Sequence, residues 1–197
     1  MTTVFSIDPA PLPKLSPDRL RRAVSRGINY GTKRARAETA RTIAAQVAFP
    51  RGYLANRPGR LWVSRRASQG DLTGAVSARR RPTMLSRFMV SRPRYKVPAR
   101  VMVAPGRTRT MPGTFLMKLR GGNVGLVLRT RRGRMVRNKR ESARELWPGS
   151  NLYLLYGPSV QQAFLTDRET GVAVDKAPRI AEDTAKEIIR QLQRGLV

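Results

Sequence analysis

The sequence predicts an α+β fold, with a long basic N-terminal helix, a small, mostly antiparallel sheet of about five strands, and a C-terminal amphipathic helix. Apolar residues recur at helical spacing before residue 50 and again after residue 175. Between these segments, short alternating apolar runs are separated by turns that contain glycine. Because the helices and strands are segregated along the chain, the pattern favours α+β over alternating βαβ units.

The first helix is predicted for about residues 17–48. Ser16 is expected to cap it, Pro17 suits its first turn, and Asp18 lies at the positive end of the helix dipole. Gly27 and Gly31 interrupt the pattern, and each weakens a helix by about 1 kcal/mol relative to alanine. They indicate either a kink or close approach by another chain. The proline-containing residues 1–15 are predicted to form an extended arm, and residues 16–197 a single α+β domain.

The middle of the chain is predicted to be β-structure. The turn-forming pair Gly121-Gly122 joins two alternating runs into a hairpin, in which Phe115 is expected on the buried face with Met117 and Leu119. Tyr153 is also expected to be buried. Strands are predicted at 60–67, 72–79, 99–106, 114–119, 124–129 and around 153–155, with a loop or short helix at 79–88, a basic loop at 107–113, and a mobile or partner-ordered segment at 131–149.

Two helices are predicted after the strands. Ser159 is placed to cap a short helix that begins at Val160. Residues 175–195 form an amphipathic pattern with acids toward the start and arginines toward the end, which matches the helix dipole. Its predicted apolar face consists of Ile180, Ala181, Ala185, Ile188, Ile189 and Leu192.

Charge is the most unusual property of the 197 residues. The chain has 40 basic and 12 acidic residues, hence a net charge of +28, and 33 of the basic residues are arginine. Residues 39–140 hold 25 basic residues and one acid, Asp71, which gives this segment a charge of 25 − 1 = +24. Arginine pairs at two points with phosphate or carboxylate groups, so an anionic partner is expected.

Composition also argues against several kinds of catalytic site. The chain has no cysteine and no histidine, so disulfides, ordinary zinc sites and triads that use these residues are not available. "GPSVQQ" lacks the spacing of a nucleophile elbow, "PGRTRTMPG" lacks the lysine of a phosphate-binding loop, and the basic region has too few carboxylates for acid–base or magnesium chemistry. We expect no enzyme activity and no cofactor. No apolar run approaches about 18 residues, and the N-terminus does not resemble a signal peptide, so we expect no membrane contact and synthesis in the cytoplasm.

Three segments occur in a fixed order behind the basic helix: "VSARRRPTMLSRF", "MPGTFLMKLRGGNVGLVLRT" and "LYGPSVQQAF". This order resembles the tailed-phage minor tail protein Z family, the tail-completion proteins of lambda-like phages. The similarity covers roughly residues 18–195, and the proline-rich start has no counterpart. Thr114 stands where the family has alanine. The positions that match the family's "PGAF" and "GPSV" elements are Pro112, Gly113, Phe115, Gly157, Pro158, Ser159 and Val160.

The resemblance implies a structural virion protein of a phage tail or neck that completes the tail, joins it to the head and positions the DNA end. It implies a ring of copies, sixfold by analogy, with the tail terminator and head–tail connector as partners and genomic DNA in the lumen as a further candidate partner. It also implies synthesis in the host cytoplasm and location in the virion. The alternative is a sequence-nonspecific nucleic-acid-binding protein, such as a ribosome-associated or DNA-packaging factor.

Candidate contacts with nucleic acid or a partner are the arginines and the lysine of two basic stretches. The second stretch, residues 129–140, is expected to be either a solvated loop or a loop that points at DNA or at an acidic neighbour. These candidates are Arg107, Arg109, Arg129, Arg131, Arg132, Arg134, Arg137, Lys139 and Arg140.

Overall fold

The computed structural model describes residues 16–130, 143–169 and 172–194, with the backbone alone for 166–169 and 172–175. It has the predicted α+β fold, with long helices at both ends and antiparallel strands between them. The helices are α1 (Pro17–Gln46), α2 (Val160–Glu169) and α3 (Val172–Arg194), with one 3₁₀ turn at Leu85–Phe88. The strands are β1 (Leu61–Arg65), β2 (Ala75–Ala78), β3 (Thr83–Met84), β4 (Met89–Ser91), β5 (Ala99–Ala104), β6 (Arg107–Met111), β7 (Thr114–Lys118), β8 (Val124–Arg129), β9 (Ala143–Glu145) and β10 (Leu152–Gly157).

The strands form three antiparallel sheets within the described ranges. The predicted sheet of about five strands is present, with the order β3-β10-β8-β7 and with β9 also paired to β10. The remaining strands form a β1-β2 hairpin and a three-stranded β4-β5-β6 sheet. The predicted β7–β8 hairpin is confirmed, and both Gly121 and Gly122 at its turn have positive φ angles (91° and 80°).

Helix α1 is continuous through Gly27 and Gly31, so these glycines do not mark a break. A Cβ atom on Gly27 would lie 2.2 Å from Cγ1 of Ile188, and one on Gly31 would lie 2.2 Å from Oγ1 of Thr184. Both contacts are with α3 of the same chain. The glycines let α1 and α3 pack closely, so neither a kink nor approach by another chain, the two alternatives predicted, is seen.

The capping prediction for α1 was wrong. Ser16 occupies the N-cap position but makes no side-chain capping hydrogen bond. At the other end, Val47 adopts an extended conformation and the backbone N–H of Ala48 donates to the carbonyl of Val103 at 2.8 Å. This bond ties the end of α1 to β5.

The main core lies between α1, α2 and the inner faces of the sheets. Ile43 of α1, Leu61 of β1, Leu126 of β8 and Val160 of α2 are fully buried there. Tyr153 is buried as predicted, with 8% of its surface exposed. The core therefore joins the N-terminal helix, the strands and the second helix into one packed unit.

The predicted burial of Phe115 was wrong. Leu116 packs against the main core and pairs with buried Leu126, whereas Phe115, on the opposite face, is only half-buried although its partner Val127 is fully buried. The sheet therefore buries residues on both faces, and the main core lies on the side of Leu116. Both faces of β7 carry apolar residues, and alternation alone could not decide between them.

Three further expectations are corrected. Residues 107–111 form strand β6 rather than a loop, because the polar run pairs with β5 over its whole length. Residues 143–145, within the segment expected to be mobile, form β9 beside β10. On α3, Ala181 and Ile189 are exposed, while Thr184, Ile188 and Leu192 lie on the packed side. The packed side of α3 is the one that contacts Gly27 and Gly31 of α1. The prediction considered only apolar residues and therefore left out Thr184, which contacts Gly31.

Candidate nucleic-acid interface

Six exposed cations lie on the β4–β6 sheet and in the link between β4 and β5. Within residues 89–111 there are six basic residues and no acid, and the sequence contains no acid from 72 to 140. All six side chains are exposed, and none forms an ion pair with a described residue. We call this group the basic sheet: Arg92, Arg94, Lys96, Arg100, Arg107 and Arg109.

Strand β5 anchors the basic sheet and β6 extends from it. Ala99 and Val101 of β5 are buried in the core. Strand β6 pairs with β5 alone among the described strands, and it is exposed at every position except Met111, which is half-buried. This arrangement fixes the backbone on the protein side and leaves the β6 side chains in solvent.

Cations project from both faces of this sheet. Arg100 lies directly opposite Thr110, whereas Arg109 lies opposite Val101. Directly opposed residues share a face and successive residues alternate, so Arg100 and Arg109 lie on opposite faces. Arg107, two residues before Arg109 on the same strand, is on the same face as Arg109 by alternation. Arg107 and Arg109 therefore lie on the face whose β5 residues Ala99 and Val101 are buried, and Arg100 lies on the opposite face.

The acids of the described chain lie elsewhere, and most are already paired. Asp183 of α3 pairs with Arg34 of α1 at 2.8 Å, and this hydrogen bond raises the pKa of Arg34. Glu38 of α1 contacts both Arg41 and Lys176. Two of these ion pairs join α1 to α3, the pair with Arg41 lies within α1, and none neutralises the basic sheet.

Asp71, the single acid between residues 39 and 140, is paired locally. Its carboxylate accepts a hydrogen bond from the Thr73 hydroxyl and lies 3.6 Å from Arg65. The hydrogen bond, followed by the charge of Arg65, lowers the pKa of Asp71. This carboxylate belongs to the β1–β2 turn and has no described contact with the basic sheet.

A second basic surface runs along the exposed side of α1. Arg22, Arg26 and Lys33 are exposed there, on the same side as Tyr30, Arg19 and Arg41. At 1.5 Å per residue the stripe from Arg19 to Arg41 is about 33 Å long. Arg26 donates to the side-chain oxygen of Gln191 at 3.2 Å, which ties the middle of the stripe to α3.

The structure separates the predicted contact residues. Arg107 and Arg109 lie on β6, in the basic sheet. Arg129 lies at the end of β8 in the larger sheet, with its guanidinium carbon 5.6 Å from the centroid of the Phe115 ring, beside an open concavity of about 530 Å³. Arg131, Arg132, Arg134, Arg137, Lys139 and Arg140 lie outside the described residues.

The family-like positions have structural roles where side chains are described. Pro112 and Gly113 form the turn from β6 to β7, and Gly113 has a φ of 71° that suits glycine. A Cβ atom on Gly157 would lie 2.6 Å from the Phe88 ring, so glycine permits that ring to pack against β10. Pro158 follows in the link to α2.

Ser159 and Val160 begin α2. The Ser159 hydroxyl accepts from the backbone N–H of Gln162 at 3.0 Å, and the Gln162 side chain accepts from the backbone N–H of Ser159 at 2.8 Å. This reciprocal pair is a capping box, so the predicted cap is confirmed. Both Ser159 and Val160 are buried, and none of the "GPSV" positions presents a free functional group.

Sequence reasoning missed Arg92, Arg94, Lys96 and Arg100 as members of a site. The available signal was the acid-free stretch itself, which runs from residue 72 to residue 140. Arg100 pairs with Ser91 and Thr110 and so lies in the same sheet as Arg107 and Arg109, while Arg92, Arg94 and Lys96 lie in the link between β4 and β5. The missing step was to recognise β4 and β6 as the strands that flank β5.

Within the described ranges, no group of three acidic, cysteine or histidine side chains could hold a metal ion, and no helix could span a membrane. No protein-family model, curated protein or solved structure matches this chain. The functional proposal therefore depends on the residues and their geometry, together with the resemblance of the three sequence segments.

Proposed function

We propose that this chain is a non-catalytic structural protein of a phage tail or neck, which completes the tail, joins it to the head and positions the DNA end. The observation that carries the proposal is the basic sheet, where six exposed cations have no carboxylate partner in the described chain. Such a surface suits phosphate, because lysine and arginine release condensed counterions when they neutralise the nucleic-acid backbone.

The resemblance to tail-completion proteins supports the assignment to a tail. Gly157 of the "GPSV" element permits Phe88 to pack against β10, and Ser159 caps α2. The Pro112-Gly113 turn connects β6 of the basic sheet to β7. These are the roles of residues that define a fold, so the motifs support a shared fold more directly than a shared ligand. The tail location follows from the resemblance alone.

A ring about the tail axis is part of the proposal, with sixfold symmetry by analogy. A charge of +28 per copy disfavours assembly of the free protein, since the copies repel one another. DNA in the lumen, or acidic surfaces of the tail terminator and head–tail connector, would offset that repulsion. We therefore expect a monomeric or poorly soluble protein alone and a ring in the particle.

The second candidate is a sequence-nonspecific nucleic-acid-binding protein outside a virion. The basic sheet favours it equally, because phosphate contact requires no tail. Deletion of the gene from the genome that carries it distinguishes the two. Tail completion predicts filled heads and finished tails that fail to join, with complementation by the intact gene. The tail assignment would be refuted if the deletion still gave normal joined particles. It would also be refuted if the genome produced no particles even with the intact gene.

The phosphate contact is tested separately by the salt dependence of duplex DNA binding. Replacement of Arg100, Arg107 and Arg109 by glutamine should flatten the slope of log K against log salt by up to about 2.7, at about 0.9 for each contact. The control replaces Arg65, Lys186 and Arg190, which are paired with Asp71, Glu182 and Glu187, by glutamine and removes the same charge. Equal slopes for both triple variants would mean that net charge, and not the basic sheet, determines binding.

A further inference from the structure

The turn between β4 and β5 is a rigid projection. The backbone N–H of Arg94 donates to the carbonyl of Val97 at 3.0 Å, and the N–H of Val97 donates to the carbonyl of Arg94 at 2.9 Å. The two residues between them are Tyr95 and Lys96. Lys96 has a φ of 60°, a left-handed conformation that a residue with a side chain adopts at some cost. Two hydrogen bonds thus hold a strained turn that presents Tyr95.

Tyr95 is the most exposed large apolar side chain in the described chain. It is 88% exposed, compared with 57% for Val90 and 53% for Trp147. Its packing within the chain is limited, and the Lys96 ammonium lies 5.4 Å from its ring centroid. The ring therefore contributes little to the core, and at the tip of the turn it is accessible to an external partner.

The surroundings of Tyr95 are cationic. Arg92, Arg94 and Lys96 are exposed in the same link between β4 and β5, and no described acid is paired with any of them. Proteins that bind single-stranded nucleic acid combine such cations with an aromatic ring on which a base stacks. The faces of duplex bases are already stacked on one another, so an unpaired base is the partner that an open ring fits.

We propose that Tyr95 stacks on an unpaired base of single-stranded nucleic acid, while Arg92, Arg94 and Lys96 pair with the adjacent phosphates. The inference rests on the phosphate contact of the proposed function and adds a preference for unpaired bases. Val90 and Val97 are also exposed, which would suit an apolar protein pocket with an acidic rim. Three exposed cations in the link that carries the ring, with Lys96 beside the ring itself and no acid among residues 72–140, favour the nucleic acid.

The test measures binding of the full chain to a labelled oligothymidine, to an abasic strand of equal length and to a duplex of equal length, at one salt concentration. Tyr95→Ala should weaken oligothymidine binding by roughly 5- to 150-fold, the range for the loss of one stacked base. Binding to the abasic strand and to the duplex should change by less than about twofold. Tyr95→Phe retains the ring and should retain the binding.

Trp147→Ala is the matched control, because Trp147 is an exposed aromatic residue that lies outside the tip and outside both basic surfaces. It should leave oligothymidine binding unchanged. An equal effect of Tyr95→Ala on all three ligands, or no effect on oligothymidine, would overturn the stacking role. Weaker binding of a glutamate-rich peptide by Tyr95→Ala, with oligothymidine binding intact, would overturn it in favour of protein docking.

The two proposals fail separately. If Tyr95→Ala has no effect but the Arg100, Arg107 and Arg109 variant flattens the salt slope, phosphate contact stands and base stacking is refuted. If the wild-type chain binds none of the three nucleic acids, both the stacking role and the phosphate contact are refuted. Circular dichroism of Tyr95→Ala should match wild type, since an 88% exposed ring contributes little to folding.

Discussion

The contact between α1 and α3 makes a quantitative prediction for Gly27→Ala. On an exposed helix this change would stabilise the protein by about 1 kcal/mol, because alanine is the better helix former. Here the added methyl group would lie 2.2 Å from Cγ1, 3.1 Å from Cδ1 and 3.4 Å from Cβ of Ile188. Isoleucine is branched at Cβ and strongly prefers one rotamer in a helix, so its side chain cannot swing aside freely.

The expected cost follows from these distances. Overpacking of a well-packed contact costs about 1–3 kcal/mol. After the gain in helix propensity, Gly27→Ala should lower the free energy of unfolding by about 0–2 kcal/mol. Ile188→Ala removes Cγ1 and Cδ1 and should cost about 2 kcal/mol, the low end for such a truncation, because Ile188 is only half-buried.

The double variant Gly27→Ala/Ile188→Ala isolates the contact. The new methyl group would then face only Cβ of residue 188, at a distance of 3.4 Å that van der Waals contact permits. We expect the double variant to be more stable than the sum of the single effects by about 1–3 kcal/mol. Urea denaturation of the four proteins, followed by far-UV circular dichroism, measures this coupling energy.

Additive effects, within about 0.5 kcal/mol, would refute the reasoning. Such a result would mean that α1 and α3 are separated at this point in solution. An Ala45→Gly control on the exposed side of α1 should lower stability by about 1 kcal/mol and show no coupling to Ile188→Ala.

Three further predictions concern single side chains. Ser159→Ala removes the capping box and should lower the free energy of unfolding by about 1 kcal/mol in urea, whereas Ser16→Ala, at an N-cap with no capping hydrogen bond, should change it little. Phe88→Ala, at a fully packed ring, should cost about 3–5 kcal/mol and half-buried Phe115→Ala clearly less, so equal thermal shifts would contradict the observed β7 face. Thr73→Val should raise the lowered pKa of Asp71, seen by NMR titration, while Thr110→Val should not. Because folding lowers the Asp71 pKa, its contribution is present above the unfolded pKa and is lost as pH falls through the folded pKa, and Thr73→Val should weaken that acid dependence.

The helices could be predicted from the sequence because their signals are local. The period of apolar residues predicts α1 and α3. Serine followed three residues later by glutamine is the sequence pattern of the capping box that begins α2. Ser16 has the same residue type without the bond, and arginine rather than glutamine follows it three residues later. The role of Gly27 and Gly31 could not be predicted in this way, because it depends on contact with α3, which is distant in sequence.

The candidate site could be predicted only in part. Arg107 and Arg109 were recognised by charge, but "RTRTM" has neither the apolar alternation nor the turn residues that mark a strand. Its strand character comes from β5, to which it is paired from Ala99–Met111 through Ala104–Arg107. The parity of β7 was likewise set by which side of the sheet α1 and α2 cover. In both cases the deciding contact is distant in sequence.

The distribution of acids explains how so basic a chain can fold and still present cations. Paired carboxylates of the described chain lie on α1, α3 and the β1–β2 turn, where they join elements of one chain. The basic sheet is held instead by backbone pairing and by burial of Ala99 and Val101, neither of which requires a counter-ion. Exposed ion pairs contribute little stability, so acids placed beside the sheet would gain little for folding and would compete with an external anion. The residues that stabilise the fold are therefore different from the cations that remain unpaired. Unpaired cations of this kind are what a surface that contacts phosphate uses.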